Sequence, residues 1–136
     1  MSNILIIDDD PEFRGNCRRL LEAAGFEVRE AGDPESGFQK VKEDPPDLLI
    51  LDVLMPSDYE GFEVARRIRG ELDLKDMPIL MLSAVHDVKQ KPYRFTPDEV
   101  YLPIDSFIDK PVLPSTLVRK VREMLKIHRE EPEQPL

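Results

Sequence analysis

The feature that most narrows the fold is the run Leu48-Leu49-Ile50-Leu51, which stops at a carboxylate, Asp52. Four apolar residues without interruption leave no face for water. A run this short reads as a strand buried on both sides, as in a parallel sheet covered by helices. A buried strand has no room for charge along its length, so Asp52 belongs at the exit, where the sheet opens to solvent. In open α/β sheets, ligands bind in the crevice beyond the carboxyl ends of the strands. Taken alone, Asp52 reads as the first polar residue of a loop. What the other strands carry shifts that reading.

Three more apolar runs have the same form. Ile4-Leu5-Ile6-Ile7 ends at Asp8-Asp9-Asp10, Pro78–Leu82 ends at Ser83-Ala84, and Phe107-Ile108 ends at Asp109-Lys110-Pro111. Helical patterns lie between them. Asp10-Pro11 is a cap followed by proline at the first helical position. Phe13, Cys17, Leu20, Leu21 and Ala24 then recur on one face, up to a stop at Gly25. Phe26–Glu30 alternates apolar and polar, as a half-exposed edge strand does. Asp33-Pro34 repeats the helix start, with Phe38 and Val41 inside, and Pro45-Pro46 ends it. Val64, Ala65, Ile68 and Leu72 outline a third helix that begins near Glu60. Leu117, Val118, Val121, Met124 and Leu125 outline a last one, opened by Pro114. The stretch from His86 to Asp105 holds Pro92, Pro97 and Pro103 and no sustained helical period, so little regular helix is expected over 87–105.

Alternating strands and helices imply a parallel sheet with right-handed crossovers. Five such strands predict an α/β, flavodoxin-like doubly wound sheet in the order 2-1-3-4-5, here with an irregular or missing fourth helix. The chain of 136 residues is the size of one domain. Residues 1–128 are expected to form it, and 129–136 a polar C-terminal tail. A net charge of −9 argues against direct nucleic-acid binding. The N-terminal apolar run is too short for a signal peptide or for membrane insertion. A single cysteine, Cys17, excludes an internal disulfide and suits a reducing cytoplasm. Cys17, His86 and His128 read as packing or surface.

In that strand order the exits converge, and Asp8, Asp9, Asp52, Ser83 and Lys110 share one mouth. Three carboxylates bring about −3 into one crevice and so need cations. Lys110 supplies one positive charge and a divalent metal would supply the rest. Oxygen-only donors favour a hard ion, Mg²⁺. A carboxylate can attack a phosphoryl group to give an aspartyl phosphate. Metal and lysine would offset charge on the transferring oxygens. Ser83 offers a hydroxyl to them, and the small Ala84 leaves the carboxylate accessible.

The acidic pair Asp8-Asp9, Asp52 with Met55-Pro56, Ser83-Ala84 and Lys110-Pro111 each follow their own strand, in that order. Together they resemble a response-regulator receiver domain of two-component signalling, chemotaxis-regulator-like, over residues 3 to about 127. The resemblance implies that Asp52 is the phosphoacceptor and that Asp8 and Asp9 hold Mg²⁺ directly or through water. The backbone carbonyl of Leu54 would complete the metal shell, and Ser83 and Lys110 would bind the phosphoryl group. Phe107, three positions before Lys110, matches an aromatic switch residue that works with Ser83, and Pro111 is a cis-proline candidate. The implied donor is a sensor histidine kinase or histidine phosphotransfer protein, and the implied target a downstream protein in the cytoplasm. Such a chain is a signalling switch and not an enzyme beyond self-catalysed phosphotransfer and slow autodephosphorylation. It would be a stand-alone receiver or one cut from a larger protein.

Three departures from the family pattern bear on this reading. Leu54 stands two residues after Asp52, where a polar residue is frequent. A bulky apolar group there should hinder water from reaching the phosphoryl group and slow its loss. The turn before Gly61 is about one residue longer than usual. The family's fourth helix falls in the proline-containing stretch, which bears on the customary output and dimer face and makes Tyr93–Tyr101 an alternative surface. Two rival readings are a receiver-like interaction module that is never phosphorylated and an aspartyl-phosphate phosphatase of the haloacid-dehalogenase type. The second needs an aspartate where this chain has Leu54.

Overall fold

A computed structural model describes residues 2–52, 60–84, 106–110 and 113–130. The elements in chain order are β1 (Asn3–Ile7), α1 (Pro11–Ala23), β2 (Glu27–Ala31), α2 (Pro34–Glu43), β3 (Leu48–Asp52) and α3 (Glu60–Gly70). They are followed by β4 (Ile79–Ala84), β5 (Ser106–Lys110) and α4 (Pro114–Glu130). The strands form one sheet in the order β2-β1-β3-β4-β5, and every pairing is parallel, as the sequence predicts.

Strand periodicity decides which helix covers which face, because successive side chains point to opposite sides. Leu5, Ile7, Leu49, Leu51, Ile79 and Met81 face Phe38 and Val41 of α2 and Val64, Ala65 and Ile68 of α3. Ile4, Ile6, Leu48, Ile50, Leu80 and Leu82 face Cys17 and Leu21 of α1 and Leu117, Val121 and Leu125 of α4. Ile4 to Ile7 and Leu48 to Leu51 are fully buried, each stabilising the fold by roughly 1.5–3 kcal/mol relative to exposure. That two-sided burial is why these runs carry no polar residue. A charge at Ile50 would sit unpaired between sheet and helix.

Local chemistry sets the helix ends. The Asp10 side chain accepts from the backbone N–H groups of Glu12 (3.0 Å) and Phe13 (3.3 Å), and Asp33 accepts from Ser36 (2.8 Å). Each cap stabilises its helix by about 1 kcal/mol. α1 ends with Gly25 at φ 100°. The Phe26 N–H then reaches the Leu21 carbonyl (3.1 Å) and the Gly25 N–H the Glu22 carbonyl (3.0 Å), the paired bonds of a left-handed C-terminal cap. In α2, Gly37 lets the helix sit directly on the sheet, since a Cβ there would lie 2.4 Å from Ile7 Cδ1.

Boundaries differ from expectation at four elements. β2 is shifted by one residue relative to Phe26–Glu30, and β4 and β5 continue through Ser83-Ala84 and Asp109-Lys110. α4 runs to Glu130, so Arg129 and Glu130 are helical and not part of a frayed tail. The expectations for Leu54, the turn before Gly61, the 87–105 segment, Pro111 and residues 131–136 fall outside the described residues. Among the described residues no helix is long and apolar enough to cross a membrane.

Candidate metal centre

Register brings the acids together. Ile7 of β1 pairs with Leu51 of β3, so Asp8 and Asp52 are the next residues along two adjacent parallel strands, whose spacing is about 4.8 Å. By alternation both fall on the face that carries Ile6 and Ile50, above α1 and α4. One carboxylate oxygen from each of Asp8, Asp9 and Asp52 lies within 4.8 Å of the others. Asp8 and Asp52 are only 1% and 5% exposed, whereas Asp9 is exposed. The cluster is therefore open on one side and walled on the other.

Asp8 is held on several sides. Its N–H donates to the Ala31 carbonyl of β2 (3.1 Å), and its side chain Oδ1 accepts from the Asp10 N–H (2.9 Å). Its main-chain carbonyl accepts from Arg14 Nη1 of α1 (2.7 Å). Arg14 Nε in turn donates to Glu30 Oε1 on β2 (3.0 Å), and the other Glu30 oxygen accepts from Arg18 Nη1 (3.1 Å). Burial, the largest single influence, pushes the Glu30 carboxyl up. The hydrogen bonds from Arg18 and Arg14 and their charges together outweigh it and hold the group below the ordinary carboxylate range.

Three oxygen donors this close repel one another unless a cation joins them, and hard carboxylate oxygens at an open mouth suit Mg²⁺. The donor set fits that ion, which keeps several waters and takes few protein ligands. Of the other predicted site residues, Ser83 and Lys110 belong to the last rungs of the β4–β5 ladder. Ser83 pairs with Asp109 and Ala84 with Lys110, while Asp52 pairs with Leu82. Ser83 is thus one residue past the rung of Asp52, and Lys110 is two strands away, about 10 Å at ordinary strand spacing. Phe107 pairs with Met81 in the same ladder. Sequence reasoning missed Arg14 and Glu30. The available signal was the i, i+4 pair Arg14 and Arg18 on the helix that follows the acidic run.

Comparison with known proteins agrees with this arrangement. A family model described as the response regulator receiver domain matches residues 4–122. The chain is 35% identical over 130 residues to the response regulator MprA of Mycobacterium tuberculosis, covering 96% of this chain and 52% of that protein. It is 33% identical over 126 residues to the DNA-binding dual master transcriptional regulator RpaA of Synechocystis sp., covering 93% and 50%. The chain therefore spans about half the length of these curated relatives. A CheY-like response regulator receiver domain protein from Methanospirillum hungatei superposes with a TM-score of 0.80 at 26% identity, covering 96% of this chain and 98% of that one. The chemotaxis protein CheY4 of Vibrio cholerae superposes with a TM-score of 0.74 at 28% identity, covering 91% and 98%. Sheet order, the placement of the acids and the family match over 4–122 all lead to one assignment: the chain belongs to the response regulator receiver domain family.

Proposed function

We propose that this receiver is the phosphoacceptor of a two-component phosphorelay, with Asp52 taking the phosphoryl group. The observation that carries the reading is the convergence of Asp8, Asp9 and Asp52 within 4.8 Å at the carboxyl ends of β1 and β3. A sensor histidine kinase or phosphotransfer protein presents a phosphohistidine. An Asp52 carboxylate oxygen attacks phosphorus, the P–N bond breaks as the O–P bond forms, and the imidazole regains a proton from solvent. Asp8, Asp9 and Asp52 would hold Mg²⁺, with the Leu54 backbone carbonyl as a further ligand, and the ion would offset charge on the phosphoryl oxygens. Ser83 and Lys110, at the ends of β4 and β5, bind the remaining oxygens.

The modification adds a charge of about −1.5 to −2 at the mouth. It draws Ser83 inward and, with Phe107 as the aromatic switch, biases a protein-interaction surface. The chain acts as a switch in the cytoplasm, with residues 1–128 as the receiver. Incubation with acetyl phosphate and Mg²⁺, followed by intact mass, tests the assignment. A single phosphoryl adduct that disappears in Asp52→Ala and without Mg²⁺ is expected. No adduct on the parent chain overturns the reading, as does steady turnover of phosphate esters.

A further inference from the structure

We infer that Arg14 is a positioning residue for the acidic pair, acting through the peptide group that joins Asp8 to Asp9. The inference rests on the metal-dependent reading of the site. The Asp8 carbonyl and the Asp9 N–H belong to one planar unit, so whatever fixes that oxygen also fixes where Asp9 leaves the strand. β1 ends at Ile7, and the ladder to β2 closes with Asp8 N–H on Ala31. A side chain then does what the next rung would have done: Arg14 Nη1 donates to the Asp8 oxygen at 2.7 Å.

Arg14 is itself fixed. Glu30 Oε1 holds its Nε at 3.0 Å, from the strand that also holds the Asp8 N–H. The guanidinium packs where residue 32 has no side chain. A Cβ on Gly32 would lie 3.0 Å from Arg14 Nη1. Arg14 and Glu30 are only 19% and 23% exposed, against 44% for Arg18, the outer arm of the same network. The planar fork of arginine supplies Nε to one acceptor and Nη1 to another at the same time, which a lysine ammonium on a flexible stem does not reproduce. Groups that orient metal ligands without touching the metal commonly change its affinity by 10–100-fold when removed.

The sign of the effect separates positioning from charge. If Arg14 acted only as a nearby positive charge, removing it would tighten binding of a divalent cation. If it positions the ligands, removing it weakens binding although a repulsive charge has gone. The experiment is a Mn²⁺ titration of the full chain, following free Mn²⁺ by electron paramagnetic resonance, for the parent, Arg14→Ala, Arg14→Lys, Arg18→Ala and Asp8→Asn. Far-ultraviolet circular dichroism reports on folding of each variant. The expected result is a loss of roughly tenfold in affinity for Arg14→Ala. Arg14→Lys should also weaken binding, and Arg18→Ala should bind as the parent does. The acetyl phosphate reaction of Arg14→Ala should recover towards the parental rate as Mg²⁺ is raised.

A folded Arg14→Ala or Arg14→Lys that binds Mn²⁺ as tightly as the parent, or more tightly, overturns the inference. It leaves the metal site standing so long as Asp8→Asn loses binding. If Arg14→Ala does not fold, Arg14→Lys decides alone, by the same criterion. A parent chain that binds no Mn²⁺ overturns the metal-dependent reading and this inference with it.

Discussion

Gly37→Ala should destabilise the protein, although alanine is the better helix former. In an exposed helix interior the exchange gains about 1 kcal/mol. Here a Cβ at residue 37 would meet Ile7 Cδ1 at 2.4 Å, Cγ1 at 2.7 Å and Cγ2 at 3.1 Å. Carbon atoms pack best at about 3.5–4.0 Å, so the overlap exceeds what a few tenths of an ångström of relaxation removes. Ile7 is fully buried and paired on both sides, with Ala31 and Leu51. Overpacking of that kind costs about 1–3 kcal/mol, and its upper half applies, leaving a net loss of about 1–2 kcal/mol after the propensity gain. Gly15→Ala on α1 is the control, since its nearest neighbour would be Arg19 Nη1 at 3.6 Å, an ordinary contact. That variant should gain about 0.5–1 kcal/mol. Urea unfolding followed by circular dichroism at constant slope reads both. Ile7→Val removes the nearest atom, so Ile7→Val with Gly37→Ala should cost less than the sum of the single changes. A Gly37→Ala protein as stable as Gly15→Ala would refute the close approach of α2 to β1.

Two further outcomes concern Glu30 and Leu54. Glu30 titrates below its ordinary value of 4.5 in the folded protein, so it contributes stability above its unfolded pKa that is lost as pH falls through the lower, folded one. Glu30→Gln should therefore be less stable than the parent in urea at neutral pH, with the gap closing below about pH 4; a gap unchanged at pH 3 contradicts the Arg14–Glu30–Arg18 network. Leu54→Asn should lose phosphate faster than the parent after acetyl phosphate is removed, by something like tenfold, or about 1.4 kcal/mol of barrier. Slower loss, read by intact mass over time, would discount the water-shielding role assigned to Leu54.

How much was legible in the residues depends on what each contact is made of. Burial on both faces is a property of single positions, so Ile4–Ile7 and Leu48–Leu51 declare themselves as central strands. The order β2-β1-β3-β4-β5 is then the flavodoxin-like one expected of five alternating strands joined by right-handed crossovers. Given that order, Asp8 and Asp52 become neighbours by counting one residue beyond Ile7 and Leu51. The ends of β4 and β5 were not legible. Ser83 and Lys110 are polar and read as loop, yet the ladder that includes them is built from backbone groups, which are indifferent to the side chain. The support behind the acids was hidden for a different reason. Charged residues on a surface helix read as a solvated face, and Arg14, Arg18 and Arg19 look alike in sequence. What singles out Arg14 is the placement of Glu30 sixteen positions along the chain and the missing side chain at Gly32. Both exist only once β2 has docked beside β1. The acids themselves can thus be read from strand ends, while the group that aims them is a product of tertiary contact. Substitutions at Arg14 and Glu30 are accordingly the ones that separate a receiver that merely contains the acidic pair from one that holds it ready.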